Sequence, residues 1–295
     1  MEPTSIAEQL FFTTVRIDTI TADGSNGSGT GFFFSHKIGE HNYPFVVTNK
    51  HVVTGMRESA LSFLQRTGTL PALGNGFRLR IDDCQQAWFG HPDPNVDIAI
   101  CPFSPLESHI KQQNNVDLFY RCVSSDMIPT PQQAAQLDAV ELVTFIGYPN
   151  GVWDSKNLLP VARRGTTASP IEVDFEGTPR FLIDASVFGG SSGSPVFVLN
   201  QGSWSSKNGG MVIGSRFHFV GVIAAVFFRT RMNQIMAVPI PTQVQPMAQQ
   251  QEMIDLGIVF KARTVIETIE EFLKARNIET SAPALASDTT PQSSA

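Results

Sequence analysis

The chain has 295 residues, a net charge of −6, 42% hydrophobic residues and 16% charged residues. That is ample apolar material for a packed core and excludes wholesale disorder. The acidic balance, with no Lys/Arg cluster larger than Arg163-Arg164, argues against nucleic acid as a direct partner, because phosphate binding draws on a basic face.

From the N-terminus, MEPTSIAEQLFFTTVRI lacks a basic leader followed by a long apolar run, so no signal peptide is expected. No window approaches 18 uninterrupted apolar residues, so no membrane span is expected and a cytoplasmic location follows as the default. Short strands are then expected at Leu10–Ile17, Thr30–Phe34 after a glycine-rich stretch, Tyr43–Thr48, Phe77–Ile81 and the nearly continuous apolar run Val96–Cys101. Ser104–Ala139, with its prolines and Gln-Gln pairs, has no clean period and reads as a connector between two halves.

Strands resume at Glu141–Ile146, Val161–Gly165, Ile171–Phe175, Arg180–Ile183, Ser194–Leu199, His218–Phe227, Gln234–Val238 and Leu256–Ala262. Two groups of short strands joined by a connector predict an all-β molecule of two barrels or sandwiches. Thr264–Asn277 is expected to be an amphipathic helix, with Val265, Ile269, Phe272 and Leu273 on one face. The tail 279–295, rich in Ser, Thr, Ala and Pro, is expected to be disordered. The scattered cysteines Cys84, Cys101 and Cys122 give neither a disulfide framework nor a metal signature, so the thiols read as reduced and no metal is expected.

The chemistry concentrates in Gly189-Gly190-Ser191-Ser192-Gly193-Ser194-Pro195, held between the apolar runs LIDASVF and VFVLN. A nucleophilic serine needs a turn that exposes its hydroxyl and frees neighbouring backbone N–H groups, and glycines on both sides of Ser192 permit such a turn. A serine hydroxyl also needs a base, and the base needs an orienting carboxylate. Of six histidines, only His51 directly follows a strongly apolar strand, PFVVTNKHVV. Asp97 is enclosed by Val96, Ile98, Ala99 and Ile100, where an unpaired carboxylate is costly. A structural histidine, a turn-capping aspartate and a plain flexible loop are the bland readings of the three taken singly. Their order along the chain, His51, Asp97, Ser192, favours the catalytic reading.

At this point the chain resembles the trypsin-like serine peptidases, and among them the bacterial HtrA-type branch. The matching segments are GSGTGFFF (Gly27–Phe34), VVTNKHVV (Val46–Val53), DIAI (Asp97–Ile100), GGSSGSP (Gly189–Pro195), GVIAAV (Gly221–Val226) and AVPIP (Ala237–Pro241). The resemblance implies two six-stranded antiparallel β-barrels of the chymotrypsin-like kind with a C-terminal amphipathic helix. The expected units are residues 1–118 with His51 and Asp97, 119–262 with Ser192, and a helix over 263–278. It implies an active site between the barrels and an oxyanion hole made by the N–H groups of Gly190 and Ser192. It also implies a substrate pocket of Ser186, Ala224, Ala225 and Val226, small and uncharged. Ser191 stands where the family usually has Asp or Asn, and the 50 or so residues after the second barrel leave no room for the family's PDZ domain. The expected activity is that of a serine endopeptidase without cofactor, acting on a protein or peptide substrate. Two alternatives stay open: a module that grips peptides without cutting them, and a peptidase that waits for an activating protein partner or a homo-oligomer.

Overall fold

The computed structural model describes residues 1–207, 209–231 and 250–278. Strand Gln234–Val238, the AVPIP segment and the tail 279–295 lie outside the described residues. The first sheet contains β1 (Thr14–Thr21), β2 (Asn26–Ile38), β3 (His41–Thr48), β4 (Met56–Thr67), β5 (Leu70–Ile81), β6 (Phe89–Gly90), β7 (Ala99–Pro102), β8 (Leu118–Phe119) and β9 (Val123–Ser124). The second contains β10 (Leu142–Gly147), β11 (Val161–Thr167), β12 (Arg180–Asp184), β13 (Pro195–Ser205), β14 (Met211–Arg231) and β15 (Gln250–Lys261). The helices are α1 (Ile6–Leu10), α2 (Lys50–Val53), α3 (Cys84–Ala87), α4 (Phe103–Asn114), α5 (Pro131–Ala134) and α6 (Arg263–Ala275).

The second sheet closes into a six-stranded barrel in the order β10-β11-β12-β15-β14-β13. The first runs β5-β4-β1-β2-β3-β7-β6, with β8 added on β4 and β9 on β2, so it holds nine described strands where six were expected. The extra pairings come from the connector. It holds the helix α4 and then returns β8 and β9 to the first sheet, β9 pairing parallel to β2. The architecture is the two-sheet, chymotrypsin-like, mostly β class.

The phenylalanines explain how the two sheets come together. On β2, Phe32 and Phe34 point to one face and Phe33 to the other, as the two-residue period of a strand requires. Phe33 packs with Phe63 and Phe103 inside the first sheet. Phe32 and Phe34 instead meet Phe219 of β14, which also contacts Phe197 of β13. Val46 and Val47 on β3, and Ile98, Ala99 and Ile100 around β7, divide between the same two cores. Burial on both faces is why these strands are nearly continuous apolar runs.

Helix α6 completes the shared core. Its Ile269, Phe272 and Leu273 are buried in the cluster that joins the two sheets, and Phe272 stacks edge-on against Phe45 and Phe89. The sequence-expected strand Ile171–Phe175 does not form. That stretch is a turn followed by a short 3-10 segment, with Glu176 and Gly177 at positive φ. Lys261 and Arg263 grip its Asp174, at 2.5 and 2.6 Å. Cys84, Cys101 and Cys122 are free thiols, and burial pushes Cys101 up to about 12.

Candidate active site

β3 ends at Thr48 and the chain enters α2, whose second residue is His51. Asn49, the residue before that helix, makes no side-chain cap to it. Its Nδ2 instead donates to the Asp97 carbonyl at 2.7 Å, tying the start of α2 to the residues that lead into β7. The Asp97 carboxylate accepts the His51 backbone N–H at 3.1 Å, and its other oxygen lies 2.5 Å from His51 Nδ1. The opposite ring nitrogen, Nε2, lies 2.9 Å from Ser192 Oγ. The imidazole therefore stands between a carboxylate from the first sheet and a hydroxyl from the second. Its side chain is 50% exposed, while the Asp97 side chain is 27% exposed between the buried Val96 and Ile98. Lys50 sits at the same edge, donating to the Asp93 carbonyl at 2.7 Å. Partial burial holds its ammonium below the usual range, against the opposite pull of Asp97 and Asp93.

The loop before β13 is shaped by its glycines and by β2. Gly190 and Gly193 have φ of +83° and +87°. A Cβ on Gly190 would strike the Tyr148 carbonyl, and one on Gly193 would strike the Thr30 carbonyl, so neither position admits a side chain. The Gly189 carbonyl accepts the Asn150 N–H at 2.5 Å. Thr30 Oγ1 donates to the Gly190 carbonyl at 2.8 Å and accepts the Tyr148 N–H at 3.1 Å, while the Thr30 N–H donates to the Ser192 carbonyl at 2.9 Å. The Gly193 N–H donates to Ile223 of β14 at 2.8 Å. The loop's carbonyls are thus turned outward and held. Among the described residues the N–H groups of Gly190 and Ser192 have no acceptor.

Of the expected pocket residues, Ala224 is buried, with its carbonyl 3.3 Å from Ser192 Oγ. Ala225 is exposed and Val226 half-buried. Ser186 is half-buried between Ala185, whose N–H donates to Asp255, and Val187, which crowds Gly257. Gly257 is in turn the β15 partner of Val226. Thr30, Thr48, Asn49, Tyr148 and Asn150 escaped the sequence reading. The only sign of Thr30 is its position between glycines in GSGTGFFF. The hydroxyls of Ser191 and Ser194 are buried without a hydrogen-bond partner among the described residues.

The described residues contain no group of His, Cys, Asp or Glu side chains able to hold a metal, and no described helix is long and apolar enough to cross a membrane. No curated protein matches the chain in sequence. Among solved structures, the HtrA-type protease AlgW with a tripeptide is 13% identical, with a TM-score of 0.49 over 92% of this chain and 63% of that chain. The active form of the Rv3671c protease from M. tuberculosis is 16% identical, with a TM-score of 0.43 over 96% and 91%. Deg5 is 17% identical, with a TM-score of 0.42 over 74% and 81%. This chain thus spans less than two thirds of the AlgW chain. The family model of the trypsin-like peptidase domain matches residues 29–204, from the glycines of β2 through His51, Asp97 and Ser192 to the end of β13. By that match, which takes in well over half its length, the chain belongs to the trypsin-like peptidase domain family.

Proposed function

We propose that the protein is a serine endopeptidase in which Ser192 is the nucleophile, His51 the general base and Asp97 the group that orients the imidazole. The observation that carries this reading is the pair of contacts made by one imidazole, 2.9 Å to Ser192 Oγ and 2.5 Å to Asp97. Ser192 Oγ attacks the peptide carbonyl carbon as His51 Nε2 takes the hydroxyl proton. Asp97 keeps the Nδ1–H tautomer in place and stabilises the imidazolium. The N–H groups of Gly190 and Ser192 receive the negative oxygen of the tetrahedral intermediate. His51 then gives its proton to the leaving amine, and water activated by the same base hydrolyses the acyl-enzyme.

The outward tethering of the Gly189 and Gly190 carbonyls supports a loop that is ready without an activator, since it leaves the Gly190 N–H without an acceptor. Hydrolysis of casein by the wild type and its loss by several orders of magnitude in Ser192→Ala is the expected result. An undiminished rate in Ser192→Ala contradicts the assignment. Activity that emerges only on adding a cell lysate favours the partner-activated alternative.

For the residue before the cut, the proposed pocket of Ser186, Ala224, Ala225 and Val226 carries no charge. Small aliphatic residues are the predicted preference, and a peptide-library cleavage profile dominated by Arg or Lys at that position overturns it.

A further inference from the structure

The loop that carries Ser192 is moulded on one side by the turn 148–153, and that turn is fixed at two points. Its base is fixed where the Tyr148 N–H donates to Thr30 Oγ1 at 3.1 Å. Its tip is fixed by a residue of β1 that carries none of the catalytic groups. Arg16 of β1 donates from Nη1 to the Gly151 carbonyl at 2.8 Å. The guanidinium also lies 5.1 Å from the centre of the Trp153 ring, whose edge meets Tyr148. Its Nε is held by Asp18 at 2.8 Å, so the fork is aimed before it meets the turn.

The clamp meets an exposed, left-handed tip. Asn150 and Gly151 both have positive φ, 49° and 69°, and the turn's outer side, with Asn150 and Val152, is exposed. Two turn hydrogen bonds close the pair, Gly151 N–H to the Tyr148 carbonyl at 3.0 Å and Val152 N–H to the Pro149 carbonyl at 2.7 Å, and Arg16 adds an anchor from outside the turn. The Asn150 N–H is the donor that turns the Gly189 carbonyl outward. The Gly189 carbonyl and the Gly190 N–H belong to one planar peptide, so turning one outward sends the other toward the site where an oxyanion would form.

We propose that Arg16 is a positioning residue: by clamping Gly151 and Trp153 it sets the Asn150 N–H, and through the Gly189–Gly190 peptide it sets one of the two oxyanion donors. This rests on the peptidase reading above. Arg16 contacts Gly151, Asp18 and Trp153, none of which carries a reacting atom. It also lines a cavity of about 720 Å³ with Asp18, Arg78, Asn150 and Gly151.

The test compares wild type, Arg16→Met and Arg16→Lys. Arg16→Met keeps an apolar stem for Trp153 but loses the donor and the charge, whereas Arg16→Lys keeps a charge and a donor. Hydrolysis of acetyl-Ala-Ala-Ala p-nitroanilide and inhibition by the aldehyde acetyl-Ala-Ala-alaninal are read together, because the aldehyde's hemiacetal oxygen binds where the oxyanion does. The loss of one oxyanion donor costs about 100- to 1,000-fold in kcat, and a misaimed one should cost part of that. The expected result is a fall in kcat of about tenfold or more in Arg16→Met with KM within about twofold, the aldehyde Ki rising by the same factor, and partial recovery in Arg16→Lys. Should Arg16→Met not fold, Asp18→Ala, which removes the acceptor of Arg16 Nε, is read in the same way. An unchanged kcat, or a change in KM alone, overturns the proposal while the peptidase reading stands. A wild type that hydrolyses neither the anilide nor casein, with or without a cell lysate, removes both.

Discussion

Ser192 and His51 can meet only because two glycines take conformations closed to other residues. Gly193 has φ +87°, and the space where its Cβ would sit is filled by the Thr30 carbonyl and Thr48 Oγ1. Thr48 donates to that same carbonyl at 2.7 Å, and both threonines are fully buried, so the obstacle is fixed backbone and cannot yield. Gly193→Ala is therefore expected to shift the loop and abolish hydrolysis even where the variant still folds. Wild-type kcat/KM in a folded Gly193→Ala protein contradicts this account of the loop. The three residues of the candidate site were legible because each sits in a short local pattern: a serine between glycines, a histidine closing an apolar strand, an aspartate inside one. Thr30 and Arg16 were not, because they act through backbone groups 118 to 160 residues away, and although Pro149-Asn150-Gly151 announces a turn, nothing local shows that the Asn150 N–H reaches Gly189.

Among the elements, those built from continuous apolar runs buried on both faces were legible and those decided by tertiary contacts were not. The triple phenylalanine of β2 and the apolar runs of β3 and β7 announce themselves. β4 was missed because its register slips between Leu64 and Arg66 and its ends are charged. Helix α4 was missed because only Phe103 and Ile110 are buried on it and its other residues are largely polar. Ile171–Phe175 alternates like a strand, but Pro170 before it and the left-handed pair Glu176-Gly177 after it make it a turn. One contact between β14 and the start of β10 tests the second barrel as a unit. Arg216 Nη2 lies 2.6 Å from Glu141 Oε2, both side chains are 8% exposed, and Arg216 Nε donates to Asn200 at 3.0 Å. Glu141→Ala leaves that guanidinium buried without its counter-charge, which costs about 3–5 kcal/mol. Denaturant unfolding should show a loss of that size, and a loss under about 1 kcal/mol, the size of an exposed pair, contradicts it.

At the scale of the whole molecule, the two sheets and α6 share one apolar core, so the site between them depends on the stability of that core. Two half-buried histidines make the stability sensitive to acid. Burial lowers His36 from its ordinary 6.5, against a small pull from Glu270. Burial, aided by Arg216, lowers His218. A depressed histidine resists protonation in the folded chain, so the unfolded chain binds more protons as the pH falls through the ordinary value and stability declines. The melting temperature should drop between pH 7.5 and pH 5, and less so in the double variant His36→Gln, His218→Gln. An equal drop in both proteins contradicts this assignment.

The central claim is that one imidazole activates one hydroxyl across the two sheets. The measurement that bears on it most directly is labelling by a fluorophosphonate, followed by mass spectrometry of the modified peptide. Labelling confined to Ser192 in the wild type, absent in Ser192→Ala and slowed by orders of magnitude in His51→Ala, is the predicted result. Labelling of another serine, or a rate at Ser192 that does not depend on His51, contradicts it.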